Sequence, residues 1–134
     1  YNRNLEYRRL MDMAKLAQND GVIKGILLHQ GETNTGDKNW PNNVKRIYDR
    51  MLKELSLNEN DVPLLVGEVV DAGSGGACAM HNSVIATVPN VIKNAHVIKS
   101  NGIPAQGDGL HFTSAGYREF GKRYAQTMLQ ILGN

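Results

Sequence analysis

A chain of 134 residues with 15 basic and 13 acidic side chains, for a formal charge of +2, is long enough for one domain with a core of its own. Its charges are scattered and only 6% of its residues are aromatic, which argues against nucleic-acid binding. The single cysteine, Cys78, excludes an internal disulfide and a thiolate zinc cluster, and no apolar run approaches the roughly 20 residues of a membrane span.

The sequence opens on Tyr1 with no signal-like segment behind it, so position 1 is expected to fall inside something longer. Leu10, Met13, Ala14 and Ala17 recur at helical spacing and Asn19-Asp20-Gly21 stops them, which predicts a helix over residues 5–18. Residues 22–28, broken only by Lys24 and Gly25, predict a buried parallel strand. It ends abruptly in His29, Gln30, Gly31 and Glu32, so apolar chain gives way within one residue to groups that exchange protons. After a polar loop, Pro41 suits the first turn of a second helix, and Val44, Ile47, Tyr48, Met51, Leu52 and Leu55 mark its one apolar face.

Residues 64–70 predict a second apolar strand, interrupted by Gly67-Glu68, and residues 71–77 a flexible Gly-rich loop. A weaker helix is expected over 80–87, ahead of Pro89, and a third short strand over 96–99. Gly102, Pro104, Gly107 and Gly109 break up residues 101–112, which read as an active-site loop. Thr113 or Ser114 then caps a last helix carrying Tyr117, Phe120, Tyr124 and Met128. Strict alternation of helix and strand predicts an α/β layered fold with a parallel sheet. Three strands make a thin sheet, and the outer side of at least one should want a partner.

Gln30 and Glu32 fall at the carboxyl end of a strand, where a side-chain amide can donate to a developing oxyanion; losing one such donor costs on the order of 100- to 1,000-fold in turnover. The plainer alternative is that both merely tie the loop to its neighbours. Asp108 and His111 are close enough for the carboxylate to hold one imidazole nitrogen and leave the other as general base. Here the alternative is a turn at Asp108-Gly109 with His111 starting the helix. His29, Glu32, Asp108 and His111 would also suit zinc, although no HExxH-type helix is present and Gln30 would then have no task. His81 and His96 read as a surface residue and a strand-end residue. Ser74, in Ala72-Gly73-Ser74-Gly75-Gly76, resembles a degenerate nucleophile elbow, but a strict G-x-S-x-G needs Gly at 72; Ser114 is better explained as a helix cap. The residues thus include a base, an orienting acid and an oxyanion donor, without a convincing nucleophile.

His29-Gln30-Gly31-Glu32 after one strand, Gly67-Glu68 after the next, and Asp108-Gly109-Leu110-His111-Phe112 leading into GYREFGKRYA at 116–125 resemble the SGNH hydrolase superfamily. The closer similarity is to carbohydrate esterase family six and to sialate O-acetylesterase-like members, over nearly the whole chain from about Gly21. That resemblance implies a flavodoxin-like three-layer α/β/α fold with a parallel sheet. It also implies hydrolysis of acetyl or similar acyl esters on carbohydrate, as by an acetylxylan esterase, with neither metal nor cofactor. It makes His111 the general base and Asp108 its orienting acid. Gln30 takes the place of an oxyanion-hole Asn, and Glu32 supports that loop or competes with Asp108. His29 and Glu68 are expected to face substrate.

Members of the superfamily keep their serine in a Gly-x-Ser-type segment after the first strand and a second oxyanion donor after the second. Neither segment is here. Residues 1–134 are therefore expected to be the carboxyl-terminal part of a single SGNH-type esterase domain, lacking the amino-terminal strands and the serine, and close to inactive alone. The expected partners are that missing half and an acylated carbohydrate, with a secreted or cell-envelope location. A complete small hydrolase using Ser74 and a non-catalytic carbohydrate-binding fragment are the alternatives.

Overall fold

A computed structural model describes residues 5–133. Four helices, α1 (Leu5–Ala17), α2 (Trp40–Glu54), α3 (Asn82–Ile85) and α4 (Ser114–Leu132), alternate with three strands, β1 (Ile26–His29), β2 (Leu64–Gly67) and β3 (Ala95–Ile98). The strands run parallel in the order β1-β2-β3, with Ile26 opposite Leu64 and Leu64 opposite Ala95. This register brings His29, Gly67 and Ile98 level with one another, so one rim of the sheet carries all three carboxyl ends.

Successive residues of a strand point to opposite faces, and every residue of β2 is buried, so both faces must be covered. On one face Trp40, Val44, Tyr48 and Leu52 of α2 pack with Leu64, Val66 and Ile85. On the other, Phe120 of α4 packs with Leu65, Ile98, Ile103 and Phe112. Met11 fastens α1 to Met51 of α2 and to Leu55 just beyond its end. The predicted α/β layering and parallel sheet are present.

Gly67 lets α4 approach the sheet: a Cβ there would meet the Tyr124 hydroxyl and the Phe120 ring. Tyr124 donates from its hydroxyl to the Leu28 carbonyl at 2.8 Å, and burial pushes its pKa up. Thr113 caps α4, its hydroxyl oxygen accepting from Gly116 N at 3.0 Å.

β1 is shorter than predicted because residues 22–25 precede any partner. The ladder starts where Ile26 N donates to the Pro63 carbonyl at 2.9 Å, and Pro63 has no N–H with which to extend it upstream, leaving Val22 76% exposed. β2 stops at Gly67 because the Asn82 side chain takes over beyond it, accepting from Val69 N and donating to Val69 O. The weak helix expected over 80–87 is a chain of short pieces, Ala79–His81, α3 and Val88–Asn90. His81, expected at the surface, is fully buried.

Candidate active site

Residues 105–112 form a closed loop. Ala105 bridges Phe112, Gln106 N donates to the His111 carbonyl at 2.8 Å, and Gln106 Nε2 donates to the Phe112 carbonyl at 3.1 Å. Gly109, at φ +69°, makes the turn and gives its carbonyl to Ala77 N at 2.9 Å; a Cβ there would press on the Gly75 carbonyl. The Gly-rich loop 71–77 is thereby packed against the Asp108–His111 turn.

Within that turn, Asp108 Oδ1 accepts from Leu110 N at 2.9 Å and from His111 N at 3.0 Å, which leaves Oδ2 to accept from His111 Nδ1 at 2.7 Å. The imidazole, followed by the two backbone donors, holds the Asp108 carboxyl well below the usual carboxylate range. Asp108 in return raises the His111 pKa, with a smaller push from Glu32. An ionised carboxylate only accepts, so Nδ1 carries the proton and Nε2 is the basic nitrogen. The ring is 61% exposed, so Nε2 is open to a reactant.

The second patch follows β1. His29 stands among the rings of Phe120, Phe112 and Tyr117 at centroid distances of 5.3, 5.8 and 6.3 Å, and burial lowers its pKa. Gln30 Oε1 accepts from Trp40 Nε1 at 2.8 Å while Gln30 Nε2 donates to Asn34 Oδ1 at 2.9 Å. At Gly31 a Cβ would collide with the His81 ring, so the loop rests directly on that imidazole. Glu32 Oε2 accepts from Gly31 N at 3.1 Å, and its charge is felt by His29, His81 and His111 alike. The carboxylate therefore lies within electrostatic reach of both patches, which share one rim of the sheet.

Other candidates are placed elsewhere. Glu68, expected to face substrate, is buried with Oε1 accepting from Lys99 Nζ at 2.8 Å and Oε2 from Ser100 N at 3.0 Å. Both oxygens accept from groups of the same chain, so this carboxylate ties β2 to the end of β3. Ser74 sits in a turn whose backbone N–H donates to Asp71 Oδ1, and among the described residues no hydrogen bond joins it to His111. No three His, Cys, Asp or Glu side chains converge in metal-binding geometry among the described residues. His96 lies within β3, its Nε2 3.4 Å from Asn94 Oδ1.

Trp40 and Asn34, which meet Gln30, carry no mark of that pairing in the sequence, and His81 was expected at the surface. A buried indole has one N–H to satisfy, which signals that Trp40 needs an acceptor, but Asn34 and Asn39 lie nearer in sequence than Gln30, so the partner itself could not be read. His81 is packed edge-on to Trp40 at 5.0 Å, neither ring nitrogen has a hydrogen-bond partner among the described residues, and burial lowers its pKa. No local pattern marks it.

A family model described as carbohydrate esterase, sialic acid-specific acetylesterase matches residues 1–130. A protein of Arabidopsis thaliana described as a probable carbohydrate esterase is 28% identical over 109 residues, which is 81% of this chain and 41% of that protein. The fold is similar to an X-ray structure of an Arabidopsis thaliana protein, with a TM-score of 0.75 and 22% identity over 92% of this chain and 51% of that one. The chain thus spans about half the length of that structure and less of the curated relative.

Proposed function

The chain belongs to the carbohydrate esterase, sialic acid-specific acetylesterase family, and from that premise we propose that it carries the base, the orienting acid and an oxyanion donor of a serine-type carbohydrate O-acetylesterase, acetylxylan esterase activity included. The observation that carries this reading is the 2.7 Å pair between Asp108 Oδ2 and His111 Nδ1, which leaves Nε2 basic and exposed.

In this mechanism the nucleophile is a serine outside residues 1–134. His111 Nε2 takes the serine proton as the hydroxyl oxygen attacks the acyl carbonyl. The Gln30 amide donates to the resulting oxyanion. Collapse of the intermediate expels the sugar hydroxyl, which receives the proton from His111, and leaves the serine acylated. Water activated by His111 then attacks the acyl-enzyme, releasing acetate and restoring the serine. Asp108 stabilises the imidazolium formed in both halves, and Glu32 adds negative charge nearby. His29, among the aromatic rings beside this rim, faces the sugar.

The amino-terminal half of the domain is the expected partner. The outer edge of β1 pairs with no strand among the described residues, and Leu27 on it is 65% exposed. A groove of about 350 Å³ lined by Leu10, Leu27, Trp40 and Ile47 runs between β1 and the helices. Two further strands and their helices would fill this side and complete a flavodoxin-like domain of the carboxyl-terminal kind expected from the sequence. No helix among the described residues is long and apolar enough to cross a membrane, and a secreted or cell-envelope location suits a polymeric carbohydrate substrate.

The test is His111→Ala in the complete enzyme. Hydrolysis of p-nitrophenyl acetate and acetate release from acetylated xylan should fall by about 10⁴-fold or more, with circular dichroism unchanged. Turnover near the wild-type rate would remove His111 from the mechanism.

A further inference from the structure

An amide at an oxyanion site is useful in only one of its two orientations. Turned by 180° about its last torsion, Gln30 would present a carbonyl oxygen where a donor is required, and two like charges would face each other in the transition state. The isolated side chain has little preference between the two. Something in the chain must choose.

We propose that Trp40 is the positioning residue that makes this choice. An indole N–H donates and cannot accept, so the end of the Gln30 amide that meets Trp40 Nε1 at 2.8 Å must be the oxygen. Nε2 is then fixed at the opposite end, where one of its two N–H groups goes to Asn34 Oδ1 at 2.9 Å and the other has no partner among the described residues. That remaining N–H is the oxyanion donor.

Trp40 is held well enough to impose the choice. It is 3% exposed within the core under the sheet, and the fully buried His81 ring meets it edge-on at 79°. The same imidazole lies directly beneath Gly31, the residue after Gln30, so the indole and the loop it serves rest on one support. Trp40 touches no reacting atom. It acts through Gln30, and it does so as the first residue of α2, which ties the oxyanion donor to a helix rather than to a free loop.

This inference rests on the reading of Gln30 as oxyanion donor, and a double-mutant cycle in the complete enzyme separates the two. Trp40→Phe keeps an aromatic ring and deletes the N–H. It should lower kcat for p-nitrophenyl acetate about 10-fold or more, a part of what the donor is worth, with KM changed less than about twofold. In a Gln30→Ala background the same substitution should cost nothing further. Because the smaller ring leaves space in the core, the measurement is repeated with benzothienylalanine placed at position 40, which keeps the indole shape and replaces N–H by sulfur. An unchanged kcat in that variant, or an equal loss with and without the Gln30 amide, would overturn the positioning role while leaving the esterase intact. A Gln30→Ala enzyme with wild-type turnover would instead remove Gln30 from the oxyanion hole and Trp40 with it.

Discussion

Asp108 spends one oxygen on two backbone N–H groups and the other on His111, and this division sets a pH dependence. In the proposed mechanism His111 works as a base only when neutral. Its pKa is raised above the ordinary value of roughly 6.5, chiefly by the hydrogen bond and charge of Asp108, so kcat/KM should climb with pH through a midpoint above that value. Replacing Asp108 by Asn removes the charge, so the acidic limb should move down toward about pH 6.5. The plateau should also drop by about 10⁴-fold, because an amide N–H facing Nδ1 favours the wrong tautomer. A pH–rate profile of the Asp108→Asn complete enzyme checks both shifts, and an unmoved limb would mean that another group sets the base. The Asp108–His111 pair was legible because its partners are three residues apart, within the reach of one turn. Gln30 was legible as a polar group at a strand end, but its orientation depends on Asn34 in the turn that follows and on Trp40, whose approach requires the start of α2 to fold back over β1. The partners of Glu68, Lys99 and Ser100, were not legible for the same reason: they arrive only when β3 pairs beside β2.

Among the elements, β2 decides how closely the layers stack. Its last residue has no side chain, and α4 settles into that space, with Phe120 Cζ 2.8 Å from where a Cβ would lie and the Tyr124 hydroxyl closer still. Gly67→Ala cannot be absorbed by the far end of a flexible chain, since both neighbours are rigid rings and Tyr124 is also bonded to the Leu28 carbonyl. Overpacking of this kind costs about 1–3 kcal/mol. Denaturant unfolding should show that loss, and because α4 begins immediately after the loop that holds Asp108 and His111, turnover should fall with it. Wild-type stability would mean that α4 has room to lift. The periodic apolar faces of α2 and α4 made those helices readable, as periodicity survives without knowledge of neighbours. Strand limits were not readable, since β1 begins where Pro63 allows pairing and β2 ends where the Asn82 amide replaces the ladder.

At the scale of the whole molecule, three parallel strands leave one edge to account for, and the apolar surface around it is out of proportion to a free edge. Leu10, Leu27 and Ile47 are 53%, 65% and 53% exposed around a single groove, although strands of a parallel sheet are ordinarily covered on both faces. Natural edges exposed to water carry charges, proline or bulges, and β1 reads Ile-Leu-Leu-His without any of them. If the amino-terminal half of the domain closes this side, Leu27 belongs to a core in the complete enzyme. Leu27→Lys should then destabilise that enzyme by about 3 kcal/mol or more, the cost of an unpaired ammonium taken out of water. At an ordinary surface the same substitution changes stability by no more than about 0.5 kcal/mol. Thermal or denaturant unfolding of the complete protein distinguishes the two. A change within the surface range would mean that β1 is a true edge and that the serine has to reach His111 from elsewhere.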